Sequence, residues 1–349
     1  MYHPRLRGSH YDMGHHYGTL LYKNGFRASQ LPDLLPGYNT DLINSSAKLT
    51  RQFYPEICEE IEGFAIGTKS NYERLICFLL SIGITQSAPH CTCFAAITNQ
   101  GVLFGRNHDY FKRFKKFSES SLIAPAGFHS FVGQGDTFIG REDGVNSKGL
   151  AVGYTFVAGT ASQPGINFQL VIRGLLEKCS RVQAAIAWIK SLPLSTYQNI
   201  VLADSAGEIA VVESGPERLE VRYPEENAQF IVATNNFQHP TMRQLQKNED
   251  RNWYEAQTRY KSVTQALATE KDFLSVEICQ DILSGKYGFT CQYPRQGEFD
   301  TIWSVVANLS TLKILRAEGN PSRVGYKEDP RLADAVAKYN QPQMSVQRG

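Results

Sequence analysis

Cys91-Thr92-Cys93-Phe94-Ala95-Ala96-Ile97, Asn99-Gln100-Gly101 and Val102-Leu103-Phe104-Gly105-Arg106-Asn107-His108-Asp109 follow one another with only Thr98 between the first two pieces. The first piece and Val102–Arg106 of the third read as strands and the middle piece as a turn, so the second strand runs back toward the start of the first. Side chains alternate along a strand, which puts Cys91 and Cys93 on one face. Arg106 stands fifteen residues past Cys91 and Asp109 eighteen, and the hairpin carries both back toward it.

Several readings of this cluster compete. A buried cysteine is usually a small apolar residue, and an Arg/Asp pair is usually a surface ion pair. A nucleophile needs thiolate; a guanidinium beside sulfur favours it, and a carboxylate could orient an amine. A metal site would need more ligands, and no CxxC pair or histidine cluster at ligand spacing accompanies the Cys-x-Cys. The run His10-Tyr11-Asp12-Met13-Gly14-His15-His16 reads instead as a polar helix start, because adjacent His15 and His16 point in different directions. Cys93 is a rival nucleophile only thirteen residues from Arg106, and Cys91 with Cys93 as a redox pair is the remaining thiol reading.

The composition changes abruptly at residue 90. Before it, Leu49, Phe53, Ile57 and Ile61 recur every four residues, the spacing of one helix face. Ser70 with Glu73 reads as a capping box opening a helix through Leu75, Leu79 and Ile82. After residue 90, 199–203 and 208–213 form a second predicted hairpin about Asp204-Ser205-Ala206-Gly207, with further strands at 230–234 and 301–309. Helices are predicted at 168–177, 180–190 and 253–267, and Cys279 reads as a core filler on an apolar helical stretch. Strands alternating with groups of helices suggest stacked sheet and helix layers.

Of 349 residues, 42% are hydrophobic, enough for a large core, and 36 Lys+Arg against 34 Asp+Glu leave a net charge of +2. That balance argues against nucleic acid, which needs a basic excess or stripe. The one basic run, Phe111 to Phe117, is short and reads as a solvated loop or strand edge. No stretch approaches the roughly 18 apolar residues of a membrane span, and the first residues lack the apolar region of a secretory signal. Seven scattered cysteines suit a reducing compartment rather than a disulfide framework, so the expectation is a cytoplasmic protein.

Cys91-Thr92, the hairpin, the Gly-Arg-Asn-x-Asp of Gly105–Asp109, Asn146-Ser147-Lys148-Gly149-Leu150, Thr234-Asn235 and Thr258-Arg259-Tyr260 occur in an order that resembles the choloylglycine hydrolase and penicillin acyltransferase group of N-terminal-nucleophile (Ntn) cysteine hydrolases. The resemblance implies an α+β fold, the four-layer αββα sandwich. Residues 1–90 would be a mostly helical pro-segment or α-chain, as in the penicillin acyltransferase branch, and 91–349 the catalytic domain or β-chain. It further implies self-cleavage at His90–Cys91, freeing an α-amine of reference pKa about 7.7–8.0 that serves as base toward its own thiol. Cys91 would attack the carbonyl of a linear amide and form a thioester, which water or an amine resolves. Arg106 would lie beside sulfur, Asp109 would hold the α-amine, and Arg259 would support the site, with Arg251 as its competitor. Asn235, with Asn236 as its one-residue alternative, and a backbone N–H of the Tyr154–Thr155 region would bind the oxyanion. The implied partner is an acylated small molecule, penicillin-, bile-salt- or N-acyl-amino-acid-like, with no cofactor, metal, nucleic acid or membrane, and self-association into a homo-oligomer is left open. The alternative from another class is a non-catalytic Ntn-fold protein with a binding or structural role.

Overall fold

Short apolar alternations and i, i+4 stripes condense here into strands and helices, and the order in which they do so determines where Cys91 ends up. The computed structural model describes residues 1–27, 29, 40–82, 90–247 and 255–340. Strand β1 (Arg5–Gly8) leads into helices α1 (His10–Lys23), α2 (Thr40–Phe53), α3 (Pro55–Thr68) and α4 (Tyr72–Ser81). The predicted hairpin follows as β2 (His90–Thr98) and β3 (Gly101–Phe111), then a 3₁₀ turn (Lys112–Phe117), β4 (Glu119–Pro125), β5 (Phe131–Gly135), β6 (Asp143–Asn146) and β7 (Leu150–Phe156). Helices α5 (Phe168–Lys178) and α6 (Val182–Lys190) precede β8 (Gln198–Asp204), β9 (Ile209–Ser214), β10 (Leu219–Arg222) and β11 (Phe230–Ala233). The remainder is α7 (Pro240–Arg243), α8 (Ala256–Thr269), α9 (Val276–Leu283), β12 (Phe299–Asn308), β13 (Lys313–Ala317), β14 (Lys327–Glu328) and α10 (Arg331–Asn340).

The strands form two sheets, ordered β1-β4-β5-β6-β7-β8-β9-β10 and β11-β2-β3-β12-β13-β14. Apolar residues on alternate positions divide between three cores. Cys93, Ala95, Phe104, Val145, Ala151, Val201 and Val305 meet between the sheets. Leu150, Val152, Ile200 and Leu202 face outward against side chains of α1 through α6. Phe94, Ala96, Leu103 and Val306 face the other way, against Val263, Leu267, Cys279 and Ile282 of α8 and α9. The result is the four-layer αββα sandwich, with the β2–β3 hairpin inside the smaller sheet.

Local chemistry departs from the expectations at several points. The four-residue stripe at 49–61 crosses two helices, because Pro55 cannot continue α2 and instead opens α3 at its first turn. Helix α4 is capped by Asn71, whose side chain accepts the Arg74 N–H at 3.0 Å, and not by Ser70. The basic run is a 3₁₀ turn rather than a loop or strand edge. The helix expected from residue 253 is described from Ala256; Arg251 and Trp253 lie outside the described residues. Arg106 and Asp109 sit within β3, which extends five residues past the expected end at Arg106.

The N-terminal residues are tied into this architecture by more than helices. Strand β1 pairs in parallel with β4, Arg5 opposite Leu122. His10, expected as part of a polar helix start, is buried and lies 3.0 Å from Glu177. Glu177 also accepts the Tyr54 hydroxyl at 2.5 Å and Arg173 Nε at 2.5 Å, while Arg173 Nη2 bonds Glu60 at 2.7 Å. Burial pushes the Glu177 carboxyl up, but Arg173, His10 and Tyr54 outweigh it and hold the group down at about 2.

Helices α1 and α3 meet through paired glycines, Gly14 and Gly18 on one, Gly63 and Gly67 on the other. A methyl group at Gly14 would stand 2.0 Å from the Glu60 carbonyl oxygen, and one at Gly63 2.1 Å from that of Tyr11. Only hydrogen fits at that backbone-to-backbone approach. Gly63→Val is therefore expected to force the helices apart and to cost about 1–3 kcal/mol or more, the usual range of overpacking, read as a lowered midpoint in urea; Ile66→Val, on the exposed side of α3, is the control.

Candidate active site

Pairing register builds the site. In the hairpin His90 lies opposite Asp109, Cys91 opposite His108 and Cys93 opposite Arg106. Cys91, Cys93, Arg106 and His108 therefore share the face between the sheets, whereas His90 and Asp109 take the face toward α8. Arg106 reaches diagonally back, and its Nη2 donates to Cys91 Sγ at 3.0 Å. His108 Nδ1 is 3.9 Å from the same sulfur.

Arg106 is fully buried and anchored on the opposing sheet. Its Nη1 bonds Asp143 Oδ2 at 2.5 Å, Nε donates to the Tyr154 carbonyl at 3.2 Å, and Nη2 also meets Glu142 at 3.3 Å. Glu142 Oε2 in turn lies 2.5 Å from His108 Nδ1, and the His108 ring stacks on Trp303 at 3.7 Å. Asp136 completes this edge through a hydrogen bond with Glu142. His108, Asp136 and Glu142 offer three ligand atoms within 4.8 Å of one another, but the Arg106 guanidinium already occupies the adjoining position and opposes a cation there.

The backbone of Cys91 is held from the other side. Its N–H donates to Asn235 Oδ1 at 2.8 Å, and its carbonyl accepts Arg259 Nη1 at 2.6 Å. Arg259 also bonds Thr92 Oγ1 at 2.9 Å and Asn235 Oδ1 at 2.8 Å. Asn235 Nδ2 donates to the Phe156 carbonyl at 2.8 Å. Asn236 faces away, its amide on Gln257 Oε1 at 2.6 Å. Thus Arg106, Asn235 and Arg259 converge on the sulfur and peptide group of Cys91.

Asp109, Tyr154 and Thr155 stand one step back. Asp109 accepts the Thr301 hydroxyl at 2.6 Å and the Tyr293 hydroxyl at 3.1 Å, with Arg259 at 4.0 Å. The Tyr154 N–H is spent on the Glu142 carbonyl at 3.1 Å, and the Thr155 hydroxyl donates to the Thr234 carbonyl, bracing the segment that carries Asn235. Asn146 makes a turn: its Oδ1 accepts the N–H of Lys148 and of Leu150 at 3.0 Å each, and Gly149 beside it has φ +78°. Glu142, Asp143, Trp303, Tyr293 and Thr301 were not anticipated from sequence. Of these only Asp143 had a signal, three residues before the Asn146 landmark.

Burial dominates the electrostatics. It pushes the Cys91 thiol far above its ordinary value, and the nearby Arg106 recovers only part of that. The expected thiolate is therefore not favoured while His90 and Cys91 remain joined. Burial, then Arg106, pushes His108 down to about 3, so the imidazole is neutral. Asp109 is raised by burial to about 6, held back by Arg259, Thr301 and Tyr293. Burial raises Glu142 to about 7 and, together with Glu142, raises Asp136 to about 8.

Comparison with known proteins agrees with this architecture. A structure of a variant of the conjugated bile acid hydrolase from Clostridium perfringens superposes at a TM-score of 0.52 with 15% identity, covering 68% of this chain and 92% of that one. A second mutant of that hydrolase gives 0.50 and 16%, covering 69% and 93%. The Caenorhabditis elegans ortholog of N-acylethanolamine-hydrolyzing acid amidase gives 0.49 and 18%, covering 63% and 93%. No curated protein matches the chain by sequence. The family model of acyl-coenzyme A:6-aminopenicillanic acid acyl-transferase matches residues 97–323, a span that begins after Cys91 and takes in Arg106, Asp109, Asn235 and Arg259. The chain belongs to the acyl-coenzyme A:6-aminopenicillanic acid acyl-transferase family, and with it to the hydrolases and acyltransferases that act on acylated small molecules.

Proposed function

We propose that this protein is a cysteine-nucleophile amidohydrolase or acyltransferase, cut by itself at His90–Cys91, that processes a linear amide through a thioester on Cys91. The observation that carries this reading is the pair of arginines on one residue: Arg106 at 3.0 Å from Cys91 Sγ and Arg259 at 2.6 Å from its carbonyl oxygen. An ordinary core cysteine has no use for two buried guanidinium groups, whose burial is costly unless each is paired.

In the uncut chain the nitrogen of Cys91 is a peptide N–H, engaged by Asn235, and cannot accept a proton. Sulfur attack on the His90 carbonyl carbon, followed by hydrolysis of the resulting thioester, would leave residues 1–90 with a carboxylate end and give Cys91 a free α-amine. That amine takes the thiol proton; Arg106 then holds the negative charge on sulfur, and Asp109 lies on the paired strand to orient the amine. Asn235 Nδ2, now on the Phe156 carbonyl, would turn to the oxyanion, while the Tyr154 N–H is held by the Glu142 carbonyl and is not free to join it. The thiol is thus protonated and enclosed before the cut, and the cut supplies it with a base of its own for attack on an external amide. Cytoplasmic residence and a penicillin-, bile-salt- or N-acyl-amino-acid-like substrate complete the reading; among the described residues no helix is long and apolar enough to cross a membrane.

Intact mass of the purified protein should show two fragments, residues 1–90 and 91–349, and Cys91→Ala should give one uncut chain. Turnover is to be read on a panel of fluorogenic acyl amides of 7-amino-4-methylcoumarin; wild-type protein that turns over while uncut would defeat the α-amine mechanism.

Asp109→Asn keeps shape but loses charge, and Arg106→Lys keeps charge but loses the planar fork. Both should lower turnover on the panel about a hundredfold, the lower end of what a positioned proton-transfer group contributes. Wild-type turnover in both would remove these positions from the active site.

The raised carboxyls give a third expectation, for the uncut Cys91→Ala chain. A carboxyl raised on folding keeps its proton where the unfolded chain has lost it. Its stability contribution is full below the ordinary value of 4.5 and is lost as pH rises through about 7 for Glu142. The melting temperature should fall between pH ~5 and ~8, and Glu142→Gln should flatten that fall.

A further inference from the structure

Strand β12 carries one residue more than its partner at the active site. Thr301 pairs with Asp109 and Trp303 with His108, neighbours on β3, so the register shifts across Ile302. A bulge of this kind re-aims the side chains on either side of it. Here it lets Thr301 bond Asp109 on the face toward α8, while Trp303 is delivered to the face between the sheets, where the sulfur lies.

Trp303 is fully buried, and a buried indole N–H needs an acceptor. It takes Asp143 Oδ2 at 3.0 Å, the same oxygen that accepts Arg106 Nη1 at 2.5 Å. The indole ring lies nearly parallel to the His108 imidazole, 3.7 Å away at 5°, and the Arg106 guanidinium carbon stands 5.9 Å from the indole. The side chain thereby touches the partners of Arg106 on two sides, while Arg106 Nη2 remains on Cys91 Sγ. Filling the core would require only the ring; it would not require the N–H to be directed at the carboxylate that fixes the guanidinium.

We infer that Trp303 is a positioning residue for the nucleophile, fixing Asp143 by its N–H and His108 by its ring so that Arg106 is held against Cys91 Sγ. The inference rests on Cys91 being the nucleophile. Without the indole N–H, Asp143 has one fewer restraint, and the guanidinium can follow it away from sulfur. The thiolate then loses its closest positive charge although no group touching it has been replaced.

Two replacements in the mature protein test this. Trp303→Phe keeps an aromatic ring of smaller size, and site-specific incorporation of 3-benzothienylalanine at position 303 keeps the full bicyclic shape while removing only the N–H. The readout is the pH dependence of iodoacetamide alkylation of Cys91, followed on its peptide by mass spectrometry, alongside kcat and KM on the coumarin amides. Both replacements should move the alkylation inflection upward by about one pH unit and lower kcat about tenfold, with KM within about twofold. Val211→Ala, in the same inter-sheet core but on the other sheet, should lower the melting temperature and leave the inflection in place. An unmoved inflection and unchanged kcat in the benzothienylalanine protein would show that Trp303 only fills space, and would overturn the inference while leaving Cys91 in its role. Turnover surviving in Cys91→Ala would overturn the nucleophile reading and this inference together.

Discussion

A guanidinium shut away from water must be neutralised where it stands, because removing a charge from solvent costs several kcal/mol that only close partners return. Arg106 is such a group, and its partners come from both sheets. The sulfur is on its own hairpin; Asp143 and the Tyr154 carbonyl belong to the facing sheet. The same guanidinium therefore fastens the two sheets together and sets the charge around Cys91. Any drift of one sheet over the other would leave a buried ion without its counter-ion, so the packing of the sandwich and the chemistry of the thiol are under one constraint.

The second arginine applies the same logic to the backbone. Arg259 binds the Cys91 carbonyl, Thr92 and Asn235, which ties the first turn of α8 to the start of β2. With Arg106 on the sulfur side and Arg259 on the carbonyl side, Cys91 has little freedom in either its side chain or its peptide. The peptide bond to His90 and the sulfur are held in one small polar chamber, and that chamber carries raised carboxyls, a neutral imidazole and a protonated thiol rather than a set of free charges.

What the sequence made legible follows from the range of the signals it carries. Alternation over Cys91–Ile97 and the Asn99-Gln100-Gly101 turn are local, and from them the return of Arg106 toward Cys91 could be read directly. The hairpin at 198–214 was legible for the same reason. Strand β1 was not, since four residues offer too little alternation and their partner lies more than a hundred positions on. Glu142, Asp143 and Trp303 acquire meaning only when one sheet faces another, and a bulge adds a residue that periodicity does not announce. The i, i+4 stripe through Leu49–Ile61 shows the opposite failure: a local pattern continued across a proline that divides it between two helices.

Strand β1 also bears on the order of assembly. Arg5–Gly8 leaves the ribosome long before Leu122–Pro125, the residues it pairs with, and helices α1 to α4 intervene. Strand β1 therefore cannot pair with β4 until the chain has been made at least as far as Pro125. Such a long-separation pairing is slow to form. A version of the chain beginning at Cys91 would present β4 as an open edge, with unpaired backbone groups available to any other extended segment, the usual route to aggregation. The first residues thus act within the fold as a built-in cover for a strand edge, whatever becomes of the peptide bond at residue 90.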